Sequence, residues 1–182
     1  MKQLRFLGID DSFSGERAIV AGVVTEGNCY VEGVMVEEIT VDGLDVTEKI
    51  VGMVRRSKFR EQVRCIFLNG VTFGGFNVAD IEVISSSLSV PVIAVMRKRP
   101  DFLAIQDALK NVGDAERRME VIRKAGEVHE VDGVFIQFKG CGYEEAASLL
   151  KSATLKGNVP ECLRLAHLVA SAVIHGESRG RV

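Results

Sequence analysis

Apolar runs and short polar breaks alternate along the first half of the chain. Leu4–Asp10, Arg17–Thr25 (RAIVAGVVT) and Cys29–Ile39 (CYVEGVMVEEI) are rich in aliphatic and β-branched residues, which predicts three strands. The segments between them, SFSGE and EGN, are short and turn-like, so the three should form an antiparallel meander. Asp42-Gly43 marks a turn. After it Val46, Ile50, Met53 and Val54 recur at helical spacing, and Arg55, Arg56 and Lys58 close that helix in the sense its dipole favours. Cys65–Leu68 (CIFL) is a continuous apolar run, the pattern of a strand covered on both faces. A glycine-containing loop, NGVTFGGF, leads to a helix expected from near Asn77, with Val78, Ile81, Ile84 and Leu88 on one side. Pro91–Met96 (PVIAVM) reads as another buried strand, which RKRPD stops.

In the second half, Phe102–Val112 and Ala115–Gly126 read as a helical pair broken at Val112-Gly113. Val134–Phe138 reads as a strand, and Tyr143–Ser152 and Glu161–His175 as helices separated by KGNVP. No repeat or interdomain linker interrupts this order, so residues 1–182 are expected to form a single domain. A meander followed by strands alternating with helices implies a mixed α/β sheet with right-handed crossovers. That is the ribonuclease H-like arrangement, with strand order 3-2-1-4-5, flanking helices and extra helices at the C-terminus. Strands 1 and 4 would meet at a topological switch point, where ligands bind.

That placement gives the polar residues at the strand ends their interest. Asp10 ends strand 1 and Asn69 ends strand 4. Alternation puts Asp10 and Asp11 on opposite faces, and Asp10 with Ser12 is the pair expected to face the site. A third acid would come from the first helix, Asp45 or Glu48. Hard oxygen donors gathered there suit magnesium or manganese, and two such ions can clamp a phosphoryl group. Gly70, Gly74 and Gly75 precede a helix N-terminus whose N–H groups can hold phosphate. Arg97 and Lys98 end strand 5 and would neutralise charge at the same edge.

Plainer readings stand beside each of these. Two aspartates at a strand end are also ordinary turn residues. Asp45 with Glu48 has the spacing of a capping box, and Asn77 with Asp80 is better read as capping than as chemistry. Glycines fill any tight turn, and RKRP also suits a solvated strand end. In the last helix Arg164, His167, Ser171 and His175 share one face, either a wet outer stripe or the lining of a groove. The tail HGESRGRV carries two arginines and reads as an ordinary terminus or as a contact for phosphates.

Composition narrows the classes. Hydrophobic residues make up 47% of the chain, and the net charge is −2. This is a globular chain, and a nucleic-acid surface would have to be a local patch. The four cysteines include no CxxC pair, which points to reduced thiols and argues against zinc. No apolar run is long enough for a signal peptide or a bilayer span, so a cytoplasmic protein without a membrane partner is expected. There is no HExxH, Walker A, GxGxxG or Ser–His–Asp order.

The stretches GIDDSFSG, DGLDVT, FLNGVTFGGFNVAD, PVIAVMRKRPD and PECLRLAHLVASAVIHGESRGR resemble, over essentially the whole chain, an archaeal family of uncharacterised proteins. That family is similar to endonuclease V, a magnesium-dependent nuclease of ribonuclease H-like fold that acts beside deaminated purines. The second resemblance covers roughly the first half. It implies that Asp10 is the first metal aspartate, that Asp45 takes the place of the metal glutamate, and that Arg97 takes that of a lysine after strand 5. Asn69 stands where endonuclease V has the aspartate of its D-G motif, and an amide is a poorer magnesium ligand than a carboxylate. No PYIP-like wedge is present, so recognition of inosine does not carry over. Asp80 in FNVAD, and Glu161, Arg164 and His167 in PECLRLAHL, stand as family-specific residues of unassigned role.

The leading expectation is a divalent-metal-dependent nuclease. Asp10, Asp45 and Asn69 would be at the metal, Arg97 and Lys98 would stabilise phosphate charge, and Ser12, Gly70, Gly74 and Gly75 would lie along the bound DNA or RNA. The alternatives are a non-catalytic nucleic-acid-binding protein on the same fold and a small-molecule phosphate binder.

Overall fold

The computed structural model describes residues 4–180. β1 (Arg5–Ser14), β2 (Arg17–Glu26) and β3 (Tyr30–Thr40) form the expected antiparallel meander. α1 (Val46–Arg56) then crosses over to β4 (Val63–Asn69), which lies parallel to β1. A small hairpin of β5 (Thr72–Phe73) and β6 (Asn77–Val78) precedes α2 (Ile81–Leu88) and β7 (Val92–Met96), which is parallel to β4. α3 (Phe102–Leu109) and α4 (Ala115–Lys124) follow. β8 (His129–Val131) and β9 (Val134–Lys139) return to the sheet antiparallel, before α5 (Tyr143–Ala153) and α6 (Glu161–His175). The sheet order is β3-β2-β1-β4-β7-β9-β8. Its first five strands are the predicted 3-2-1-4-5 arrangement, and β9 and β8 extend it beyond β7.

Four details differ from the pattern-based expectation. β1 continues four residues past Asp10, because Gly15 at φ +60° closes a tight turn and Phe13 pairs with Ala18. Asn77 lies in β6, not at a helix start. Gly74 and Gly75, both at positive φ, turn the chain so that Phe73 pairs with Asn77, and α2 begins only after Asp80, whose carboxylate accepts from the N–H groups of Glu82 and Val83. α3 stops at Leu109, where the bonding tightens to i→i+3 through Val112. The short strand β8 carries too few residues to register as a period.

Both faces of the sheet are covered. On one, Leu7, Ile9, Val20, Ile66 and Leu68 pack with Ile50 and Met53 of α1, Ile81 and Ile84 of α2, and Met119 and Ile122 of α4. On the other, Phe6, Phe67, Ile93 and Val95 pack with Leu149 and Leu150 of α5 and with Cys162 and Leu163 of α6. Arg118 of α4 is buried, yet its guanidinium donates only to backbone carbonyls, those of Asp42, Gly43, Phe76 and Gly113. It thereby fixes the loop ahead of α1 against β6.

A close approach of backbone to backbone sets the position of α6. A Cβ on Gly8 would lie 2.3 Å from the carbonyl carbon of Cys162 and from the nitrogen of Leu163. Both are backbone atoms, so no side chain can give way. The N-terminus of α6 therefore rests directly on β1, and the helix runs along the strand from there. Gly8→Ala should force α6 outward and cost about 3 kcal/mol. Chemical denaturation of the variant checks this, and an unchanged midpoint would show that α6 does not depend on this contact.

Candidate active site where β1 and β4 part

Parallel pairing of β1 with β4 ends at Ile9 opposite Leu68. The next residues along the two strands are Asp10 and Asn69. Asp10 is only 2% exposed, and a carboxylate buried that far needs partners for both oxygens. It has them. The Asn69 side-chain amide donates to Oδ1 at 3.0 Å and the Asp11 backbone N–H donates to the same oxygen at 2.8 Å. Oδ2 faces Nδ1 of His167 at 2.8 Å. The sheet thus supplies the acid and the amide, and α6, held down at Gly8, supplies the imidazole.

The other ring nitrogen, Nε2 of His167, lies 3.0 Å from the backbone carbonyl oxygen of Arg179. A carboxylate and a carbonyl are both acceptors, so both contacts are hydrogen bonds together only when the ring carries two protons. The hydrogen bond to Asp10 accordingly raises the His167 pKa above its ordinary value, against the opposing effect of burial. Asp11 points to the opposite face. There its Oδ2 accepts from the Gly74 N–H at 2.7 Å. Burial raises the Asp11 carboxyl to about 6, with the Asp10 charge adding to the shift and the Gly74 bond opposing it.

Asp45 is engaged elsewhere. Its carboxylate accepts from Thr40 N at 3.2 Å, Thr40 Oγ1 at 2.9 Å and Asn77 Nδ2 at 2.6 Å. Burial pushes this carboxyl up, but the bonds from Asn77 and Thr40 outweigh it and hold the pKa below the usual value. Asp45 does not cap α1 through its side chain. Asn77 instead accepts from the Val46 N–H at 3.1 Å. Glu48 lines an open groove beside α1. Of the expected metal set, then, Asp10 and Asn69 come together and Asp45 does not join them. Among the described residues no three His, Cys, Asp or Glu side chains are grouped to hold a metal ion. The donors at the strand end, Asp10, Asn69 and His167, are bonded to one another, so as arranged they do not fit a magnesium or manganese ion.

The glycine loop is not the open phosphate cradle expected from its sequence. Gly70 N–H donates to the Val95 carbonyl at 2.9 Å, Gly74 N–H is bonded to Asp11, and Asp80 caps α2. Gly75, at φ +85°, has Asp42 Oδ1 2.3 Å from where its Cβ would be, so the loop is packed shut there. Ser12 follows on the Asp10 side of β1, partly exposed, and Arg97 and Lys98 are exposed just past β7. Arg99 lies over the Phe135 ring at 5.1 Å. Asp80 also pairs with Lys124 at 2.8 Å, and Glu161 and Arg164 form a two-bond ion pair with each other at 2.8 and 2.5 Å. His167 is thus the one residue of the PECLRLAHL motif that reaches Asp10. The helical stripe hinted at its inward neighbour Ser171, but nothing in the sequence marks a main-chain carbonyl such as that of Arg179. Arg181 of the tail lies outside the described residues.

Comparison with known proteins places the chain in a family. Residues 2–174 match the model of a family described as Endonuclease dU. A UPF0215 protein of Archaeoglobus fulgidus is 50% identical over 181 residues, spanning 100% of this chain and 99% of that one. A crystal structure from the same organism, of a protein of unknown function, superposes with TM-score 0.92 at 48% identity, covering 96% of this chain and 100% of the other. Endonuclease V of Ciona intestinalis, bound to DNA containing inosine, superposes with TM-score 0.62 at 13% identity, covering 93% and 84%. That likeness establishes the ribonuclease H-like fold. Matched over nearly its whole length, the chain belongs to the Endonuclease dU family.

Proposed function

We propose that this chain is a DNA endonuclease that cuts at or beside deoxyuridine, with Asp10 and His167 at its reaction centre. The carrying observation is the convergence of Asp10, Asn69 and His167, from two strands and a helix, on one buried carboxylate. The family's description supplies the reaction class and the base. Burying such a cluster costs stability, and sites of that kind concentrate where chemistry is done.

Asp10 holds the imidazole ring in place, and the doubly protonated ring sets a positive charge beside the end of β4. Arg97 and Lys98 add exposed positive charge past β7, where a phosphate backbone would gain most from it. A second reading, nucleic-acid binding without cleavage, draws on two specific features. Residue 69 is a neutral amide that donates to Asp10, and Asp45 is fully engaged by Thr40 and Asn77.

A labelled duplex carrying one deoxyuridine, incubated with and without magnesium or manganese, separates the two readings. Nicking by the wild type that falls at least about 100-fold in Asp10→Asn supports the nuclease. Equal nicking by the variant would sink it, and tight binding without nicking would favour the second reading. In either case Arg97→Ala and Lys98→Ala should each lower the salt-dependence slope of binding by about one.

The raised pKa of His167 also sets a pH dependence. The imidazolium form is complete below the ordinary value of about 6.5 and is lost only as pH rises through the higher folded-state value. Activity that needs this positive charge should therefore persist above pH 6.5 and then fall. Asp10→Asn should return the His167 titration, followed by NMR, toward or below 6.5, and no movement would show that Asp10 is not the cause.

A further inference from the structure

We infer that Ser171 and the turn Glu177–Gly180 form a strap that fixes the His167 ring, which makes Ser171 a positioning residue for the proposed reaction centre. α6 ends at Gly176, whose left-handed φ of +80° reverses the chain. The returning segment lies back over the helix it has just left. Ser171, one turn beyond His167 on the same face, is 4% exposed. Its hydroxyl accepts from the Arg179 N–H at 2.8 Å and donates to the Glu177 carbonyl at 3.4 Å. The peptide pinned in this way turns the Arg179 carbonyl onto His167 Nε2 at 3.0 Å, and Gly180 lies close by, its Cβ position 3.8 Å from Nε2.

The consequence is a ring held at both ends. Asp10 engages Nδ1 from the sheet, and the strap engages Nε2 from the opposite side. With Asp10 alone the imidazole would still pivot about that one hydrogen bond. The second contact removes that freedom, and it comes from a main-chain atom that no side-chain substitution deletes directly. Ser171 is the side chain through which the strap's position is set. Arg179 itself is exposed, and its guanidinium pairs with Glu177 of the same turn at 3.7 Å.

This inference rests on the nuclease reading for its kinetic consequence, but the strap has a readout of its own. In protein labelled with 15N at histidine, the Nε2 proton of His167 should be protected from solvent exchange. Ser171→Ala removes the acceptor, and Arg179→Pro removes the N–H donor; both should lose that protection. Ser171→Thr and Arg179→Ala keep the acceptor and the donor and should retain it. In the deoxyuridine nicking assay Ser171→Ala should lower kcat roughly tenfold with KM within about twofold, and Ser171→Thr should recover most of the loss. A Ser171→Ala protein whose Nε2 proton stays protected would overturn the strap. Lost protection with unchanged kcat would overturn the positioning role. A wild type that cuts no DNA would defeat the nuclease reading, and the exchange comparison would still decide whether the strap exists.

Discussion

The contact on which the rest of the site depends is the seat of α6 on β1 at Gly8. Backbone meets backbone there, with no room for a Cβ. Because the helix starts so close to the strand, it stays close as both run on, and His167 arrives over Asp10 two residues further along β1. A looser seat would leave room for a methyl group at residue 8 and would carry the imidazole out of hydrogen-bond range of the carboxylate. The precision of the site is therefore a packing property before it is an electrostatic one. It also accounts for the apolar character of α6 around the functional residues. Cys162, Leu163, Ala166 and Ala170 are buried, and the two alanines keep the middle of the helix low on the sheet.

The second constraint is the buried charge. Asp10 satisfies both oxygens with protein donors, and each donor belongs to a different element. This explains the amide at position 69. A carboxylate there would face Asp10 without a proton to donate and would add a second negative charge beside a buried one. Asn69 donates instead, and His167 supplies the balancing positive charge. Asp45, the third acid suggested by the resemblance to endonuclease V, is held by Thr40 and Asn77 instead.

The fold was legible because its signals are periodic. The meander, the continuous apolar run at β4 and the strand at Pro91–Met96 imply the order of five strands that the sheet has. Pattern and structure part where one residue type serves two purposes. Asn77 and Asp80 both look like caps. Asp80 is one, whereas Asn77 sits in a two-residue strand and caps α1 from across the chain while also holding Asp45. Only tertiary contact distinguishes the two. Asp45 looked like a ligand because it precedes α1, yet Thr40 and Asn77 claim it. His167 was visible as part of a polar stripe, but a stripe does not reveal which of its members turn inward. Arg164 is exposed beside its partner Glu161 and Ser171 is buried, although helical spacing ranks them alike.

Adjacent aspartates on one strand raise a last point about coupling. Alternation sends Asp10 toward α6 and Asp11 toward the β5–β6 loop, so a buried and a half-buried carboxylate, adjacent in the chain, bond on opposite faces of the sheet. Their charges still repel through the strand, which adds to the burial that holds the Asp11 carboxyl near 6. The proton on His167 works in the other direction, easing the ionisation of Asp11 across β1. Asp11 and His167 thus sense each other's charge across β1. Their common element is β1, whose register is fixed on one side by β2 and on the other by β4. A strand paired on both edges is stiff, and that stiffness lets two oppositely directed acids share one electrostatic balance without either giving up its partner.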